Sequence, residues 1–504
     1  MMKKIVIVGG GTAGWMSALI MARQLIDKGF QIELLESPDV GIIGVGEGST
    51  PALKLFFDSQ DIAEAEWMPE CNATYKCGIS FDNWSTHSGY ESYFHPFSSA
   101  LDGESLRVFI HNAHARLRGA DLDAHPDRYF VTSRIARGCL SPVSPENFPF
   151  KVDYGYHFDA ALLGQFLRKK AIERGVVHRV CHIEQVQQDA AGNITGLLTD
   201  AGDTHKADLF VDCTGFAALL LQKTLQTPFV SYSNTLLNDA AVAMPTDIGD
   251  KIPSETVSTA LKHGWAWKIP LTNRYGNGYV YSSAFWSADE AEHELRERLG
   301  LLDADIPVRH LKMKIGRVQE HWVKNCLAVG LSQGFIEPLE ATALLLVQKT
   351  ADLFVHYFIN GNFTDRYRTE FNQRINRNFD GVRDYIVTHY KISSRTDTEY
   401  WRANTASQQD VPAAILELYA AWRKGKDLAA EIKRLKIVDS YPVPSWYCIF
   451  AGMGVFQNAQ QVRKATTEEG RFDLTLLDDF FRRCALNYTD HRTYLNQLAV
   501  NNVQ

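Results

Sequence analysis

The stretch Ile5-Val6-Ile7-Val8-Gly9-Gly10-Gly11-Thr12-Ala13-Gly14, followed by a helical pattern and then by Gln31-Ile32-Glu33-Leu34-Leu35-Glu36, decides the fold. The first apolar run is a buried parallel strand, the glycines are a turn into a helix, and the second apolar run is another strand ending in an acid. Gly9 permits the tight turn, Gly11 lets the backbone approach a pyrophosphate, and Gly14 lets the helix pack close to the strand. Phosphates then meet N–H groups at the helix N-terminus, in the Gly11-Thr12-Ala13 region. Glu36 stands where a carboxylate accepts from a ribose hydroxyl. A lone glycine fingerprint is a weak signal, but here strand, helix and terminal acid stand in order, so the stretch reads as a dinucleotide site.

Working outward, 504 residues suffice for at least one large core and two or three modules. A chain that is 45% hydrophobic and 22% charged has the composition of an ordinary soluble globular protein, and a net charge of -7 argues against nucleic acid as the main partner. Eight cysteines at 71, 77, 139, 181, 213, 326, 448 and 484 form no C-x-x-C pair, so neither a metal site nor a disulfide framework is expected and a reducing cytoplasm is the default. The dinucleotide strand begins too early to leave room for a signal peptide. The longest apolar run, Ala343 to Ile359, is interrupted by Gln348, Lys349, Asp352 and His356 and reads as a core helix rather than a membrane span.

After Glu36, the segment Gly41-Ile42-Ile43-Gly44-Val45-Gly46-Glu47-Gly48-Ser49-Thr50-Pro51 reads as a cofactor-side loop ending at a helix cap. Thr74 to Phe81 alternates like one strand, with Tyr75, Cys77, Ile79 and Phe81 on one face and Lys76 on the other among small residues; a lysine there is ordinarily solvated. Residues 82 to 150 are an irregular excursion, rich in aromatics, that can wall a pocket. Asp159 to Arg174 is an amphipathic helix, Val176 to Gly202 two strands around Ala191-Gly192-Asn193, and Ala207 to Gly215 a buried strand returning to the nucleotide-binding sheet. Trp265-Ala266-Trp267-Lys268-Ile269-Pro270 puts two indoles and an isoleucine on one strand face. Tyr275-Gly276-Asn277-Gly278 reads as a hairpin turn. A second strand-to-glycine return, Asn325 to Gly334 with Gly330, precedes Phe335 to Ala343 and the long apolar helix, whose start offers unpaired N–H groups. From about Phe371 the chain is helical, broken by the turn-rich segment Tyr441 to Tyr447.

One fingerprint with two later glycine returns, and no second Rossmann unit for NADPH, fits FAD better than NAD. The motifs together resemble the flavin-dependent tryptophan halogenase family: Gly9 to Gly14, Gly44-Val45-Gly46-Glu47 with Thr50 and Pro51, Lys76 in its short strand, Trp265-x-Trp267-x-Ile269-Pro270, and Gly334-Phe335-Ile336-Glu337-Pro338-Leu339-Glu340. The resemblance implies an α/β fold, an FAD-binding Rossmann-like module of the glutathione-reductase and aromatic-hydroxylase type with a mixed sheet. Its expected extent is residues 1–370, with 82–150 contributing to the substrate pocket, followed by a helical substrate-side module at 371–504.

The chemistry implied is oxidation of chloride or bromide by O2 and FADH2 from a separate flavin reductase, and passage of hypohalous acid to Lys76 beside an aromatic substrate, an indole. Lys76 forms a haloamine or hydrogen-bonds the oxidant, while Glu340 stabilises the developing cation and takes the ring proton. Gly9, Gly11, Thr12, Ala13, Gly14, Glu36, Gly46, Glu47, Gly330 and Gly334 would hold the cofactor, and Thr342 and Ala343 the halide. Trp265 and Trp267 would wall the flavin side, and His95, Phe97 and Trp446 would line the substrate pocket. The protein would act as a monomer or homodimer. One departure stands out: the family commonly follows the glutamate with Ser-Thr-Gly, whereas Glu340 is followed by Ala341-Thr342-Ala343. An FAD-dependent aromatic hydroxylase and a non-catalytic flavin-binding protein are the competing readings.

Overall fold

The computed structural model describes residues 3–39, 41, 46–97, 99–406, 411–437, 441–456 and 462–501. Gly44 and Val45, with Ile42 and Ile43, lie outside the described residues. The chain divides into two units, each assembled from three segments: 1–72, 158–233 and 313–380 in the first, 73–157, 234–312 and 381–504 in the second. The units are thus interleaved along the chain. The division expected between 370 and 371 and the unit boundary between 380 and 381 both fall within the helix Arg368–Ile392.

The first unit is built on a six-stranded sheet in the order Trp322–Val323, Cys326–Ala328, Leu209–Asp212, Lys3–Val8, Phe30–Glu36, Val177–Val180. The last five are parallel, with Val8 beside Asp212 and Leu35, and Asp212 beside Ala328. Their carboxyl ends therefore emerge on one side, where an open parallel sheet binds its ligand. Val177–Val180 is a strand that the two-strand reading of 176–202 misses; beyond it Ile183–Gln188 and Ile194–Thr199 form the expected hairpin in a separate sheet. Val6, Val8, Leu35, Phe210, Leu220, Leu221 and Ala328 form one core. The helix Thr12–Leu25 buries Trp15, Met16, Leu19 and Ile20 and packs against Ala160–Glu173 and Ala343–Asn360. Each such side chain contributes about 1.5–3 kcal/mol. The expected core helix is present as Ala343–Asn360, whose Phe354 meets Trp322 edge-on at 4.8 Å.

The second unit carries a seven-stranded mixed sheet in the order Arg309–Lys312, Ala240–Asp247, Arg274–Tyr281, Gly264–Pro270, Thr256–Ala260, Gly78–Asp82, Ser92–Pro96. Only the Gly78–Asp82 and Thr256–Ala260 pair is parallel. The residues read as one strand, 74–81, are two: Thr74–Lys76 pairs with Gly155–Phe158, and the chain breaks at Cys77 before joining the large sheet as Gly78–Asp82. Tyr275 to Gly278 is not the hairpin turn but part of a strand, the turn lying at Leu271–Arg274. Gly278 sits opposite Trp267, and a Cβ there would enter the indole ring. The glycine is therefore explained by the tryptophan lying over it. The tail is helical as expected, but within the segment expected to be turn-rich, residues 443–447 already begin the helix Val443–Gly452, with Pro442 at its N-cap. No helix among the described residues is long and apolar enough to cross a membrane.

Candidate active site

In the first unit the glycine turn follows Val8 directly. Gly9 has φ +112, and a Cβ on it would collide with the Cys213 carbonyl; a Cβ on Gly14 would collide with the Gly9 carbonyl; and a Cβ on Gly10 would enter the Glu36 carboxylate. Gly11 differs. Its φ of -73 suits any residue, and nothing lies within 4 Å of where its Cβ would stand. Three glycines are filled by protein and the fourth opens on space, at a helix start with no side-chain cap. This is the cradle a pyrophosphate needs, so these residues fit FAD.

The neighbouring strand ends support the turn. Gly330, at φ +78, is pressed against Ala13, 2.7 Å from where its own Cβ would be, and its N–H donates to Gln333 Oε1 at 2.9 Å. Gln333 in turn donates to Thr350 at 3.0 Å, tying this loop to the Ala343–Asn360 helix. Gly334 packs on the Gly316–Arg317 backbone, so strand pairing accounts for its missing side chain. Thr12 Oγ1 reaches the Ala160 carbonyl at 3.4 Å, and Asp159 caps that same helix. Asp159 also faces Glu47, beside Gly46: burial first, then the Asp159 charge, raise the Glu47 carboxyl to about 7. Glu36 accepts from or pairs with His178 Nε2 at 2.8 Å.

Asp212 was not singled out by sequence. Fully buried at a strand end, it accepts from the Thr214 N–H and hydroxyl and from the Leu220 and Leu221 N–H groups, at 2.7–3.0 Å. Burial raises its pKa against these bonds. It fixes the return loop beside Gly9. An acid closing a buried apolar strand, in Leu209-Phe210-Val211-Asp212, was the available signal.

Pro338–Glu340 forms a tight turn in the first unit, closed by Ala341 at φ +55 before the helix Ala343–Asn360. Glu340 is 3% exposed. Thr342 is buried and Ala343 exposed, and Thr342 makes no side-chain cap, which leaves helix N–H groups available to an anion.

In the second unit Lys76 is 0% exposed, not solvated as a strand lysine ordinarily is. Its Nζ lies 5.4 Å from the Phe97 ring. The next residue is anchored on both sides, with Cys77 N–H donating to the Ser254 carbonyl at 2.7 Å and the Cys77 carbonyl accepting from Phe97 N–H at 2.9 Å. Trp265 and Trp267 are buried on one face, 6.2 Å apart between ring centroids. His95 Nε2 lies 2.9 Å from Ser445 Oγ, next to Trp446 in sequence. Trp446 meets Tyr385 edge-on at 4.9 Å, and Tyr385 stacks on Tyr441 at 3.6 Å. The Trp446 indole N–H is buried without a hydrogen-bond partner among the described residues. Lys76, Phe97, His95, Trp446, Trp265 and Trp267 thus belong to the second unit, while Glu340 and the residues expected to hold cofactor and halide belong to the first. Two buried histidines, His157 and His491, adjoin the Lys76 strand and were also missed.

Residues 4–468 match the family model described as tryptophan halogenase. The chain is 36% identical over 501 residues to the 7-chloro-L-tryptophan 6-halogenase KtzR of Kutzneria sp. (strain 744), covering 92% of this chain and 93% of that one. Its fold is similar to that of Tar14, a tryptophan C-6 flavin-dependent halogenase (chlorinase) from taromycin biosynthesis, with a TM-score of 0.86, 33% identity, and coverage of 98% and 99% of the two chains. It is similar as well to Xcc4156, a flavin-dependent halogenase from Xanthomonas campestris, with a TM-score of 0.84, 29% identity, and coverage of 99% and 98%.

Proposed function

We propose, from the premise that this chain belongs to the tryptophan halogenase family and is a flavin-dependent halogenase, that it places bromine or chlorine on an electron-rich aromatic, an indole, through hypohalous acid and Lys76. FAD held at the glycine turn and reduced by a separate flavin reductase would supply, with O2, the oxidation of halide to hypohalous acid. Gly11 and the first N–H groups of Thr12–Leu25 would hold its pyrophosphate, and Glu36 its ribose. The N–H groups of Thr342 and Ala343 hold the halide.

The observation that carries the reading is the complete burial of Lys76 beside Phe97. A lysine is rarely buried without a chemical reason. Held from bulk water, its amine either exchanges a proton for halogen, releasing water from the hypohalous acid, or hydrogen-bonds the acid and aims its halogen. The ring carbon then forms its bond to halogen as the nitrogen–halogen or oxygen–halogen bond breaks. Glu340 takes the proton that leaves that carbon. His95, Phe97 and Trp446 hold the ring, Phe97 by stacking. Trp265 and Trp267 fill the space a hydroxylase would leave for its substrate.

The surroundings of Trp446 are aromatic, with Tyr385 edge-on to its ring and Phe450 beside it, which supports simple indole over zwitterionic tryptophan. With Ala341 in place of the family's serine, chloride loses more than the larger, more easily dehydrated bromide, so bromination exceeds chlorination. Lys76→Ala tests the core of this reading: reduced flavin and O2 should still be consumed without halogenated product, whereas product at the wild-type rate would remove the role of Lys76.

A further inference from the structure

The three-residue strand Thr74–Lys76 has few ladder bonds of its own, and it is held by two imidazoles. Antiparallel pairing sets Thr74 opposite His157 and Lys76 opposite Gly155, so the position facing the lysine has no side chain and His157 is its diagonal neighbour on the same face. His157 Nδ1 lies 3.0 Å from Thr74 Oγ1, and that hydroxyl donates to the Pro270 carbonyl at 2.7 Å. A hydroxyl has one proton and a carbonyl can only accept. Thr74 therefore accepts from His157, whose proton is on Nδ1. His157 Nε2, 2.9 Å from Thr256 Oγ1, then accepts the Thr256 proton.

His491 does the corresponding work on the backbone. The Tyr75 N–H, in the middle of the strand, donates to His491 Nε2 at 3.1 Å, so this ring too carries its proton on Nδ1, 3.1 Å from the Ile252 carbonyl. Both histidines are fully buried. Burial, helped by the Lys76 charge, pushes the His157 pKa far down, and burial takes that of His491 to about 4. Each ring is a single neutral tautomer with both nitrogens engaged, so neither offers a lone pair to an electrophilic halogen.

We propose that His157 and His491 are positioning residues for Lys76: one bonded across the strand pair and one holding the strand's central N–H, they fix the direction of the amine that delivers halogen. This rests on the assignment of halogen transfer to Lys76. Delivery to one ring carbon is sensitive to displacements of about an ångström, which cost on the order of 100-fold in rate.

The test compares His157→Leu and His491→Leu with His157→Asn, which keeps an N–H toward Thr74, and His491→Gln, which keeps an acceptor for Tyr75. Each holoenzyme is supplied with reductase, FAD, NADH, bromide, and indole or tryptophan. Flavin reoxidation, hypobromous acid caught by a diffusible trap, and brominated ring are measured per folded, FAD-loaded molecule. The leucine variants should lose about 10- to 100-fold in kcat with KM little changed, trapped oxidant should rise as product falls, and the Asn and Gln variants should recover most of the loss. Where a leucine variant does not fold, the near-isosteric Thr74→Val and Thr256→Val carry the same expectation for His157. Trapped oxidant and product falling in proportion, or wild-type kcat, would overturn the proposal. Lys76→Ala in the same assay separates the two levels. If it brominates at the wild-type rate, the reading beneath fails; if it loses product while both leucine variants retain wild-type kcat, the positioning role alone fails.

Discussion

Gly11→Val separates cofactor binding from folding, because the four glycines of the turn are constrained by different things. A side chain at Gly9, Gly10 or Gly14 meets protein, while at Gly11 it meets nothing within 4 Å, at a φ of -73 open to valine. The substitution should therefore cost the apo fold no more than about 1 kcal/mol, the loss expected of a poor residue at a helix N-cap. The bound state is another matter. Valine methyls in that space deny the pyrophosphate one or two backbone N–H groups, each charge-assisted bond being worth about 1.5–3 kcal/mol. Loss of two is on the order of 3–6 kcal/mol, or about 10²- to 10⁴-fold in Kd. Calorimetric titration with FAD reads the affinity, and urea unfolding of the apo protein reads the stability. Gly14→Ala is the control, since its Cβ lands on the Gly9 carbonyl and should destabilise the fold by about 1–3 kcal/mol or more. Unchanged FAD affinity in Gly11→Val would remove the cofactor site; a collapsed apo fold would refute the packing argument.

Three further outcomes are expected. Lys76→Ala should reoxidise reduced flavin at a near wild-type rate while ring halogenation, followed by mass spectrometry, disappears. Glu47 has a folded pKa of about 7 against an ordinary 4.5, so the apo native state keeps a proton that the unfolded chain loses across that window; stability should fall as pH rises through it, by at most about 3 kcal/mol, and level off above it. Glu47→Gln should flatten that part of a urea-unfolding series, and a stability that instead rises through the window would contradict the raised Glu47 pKa. In competition between equimolar indole and tryptophan, each with chloride and with bromide, brominated indole should lead; faster chlorination of tryptophan would overturn the substrate and halide assignments.

The strand, glycine turn, helix and acid from Lys3 to Glu36 were legible because each constraint is local: β-branched periodicity, a turn only glycine tolerates, a close helix–strand approach. The strand returns at Leu209–Asp212 and Cys326–Ala328 were legible for the same reason, as apolar runs ending in small residues. The interleaving of the units was not, since it depends on pairings between segments far apart in sequence, such as Gly78–Asp82 with Thr256–Ala260. Gly278 looked like a turn because its partner, Trp267, is chosen by register rather than by proximity in sequence. The burial of Lys76 was hidden behind the usual solvation of strand lysines. His157 and His491 were hidden because a histidine's role depends on which atoms meet its two nitrogens.

The most direct test of the account is the product itself. Wild-type protein with a flavin reductase, FAD, NADH, O2 and bromide is incubated with indole and with tryptophan, and the products are resolved by high-resolution mass spectrometry. The account predicts a ring in which bromine has replaced hydrogen, marked by bromine's paired isotope peaks and absent when bromide is withheld. An oxygenated ring carrying no halogen, formed equally with and without bromide, would contradict it and identify a hydroxylase.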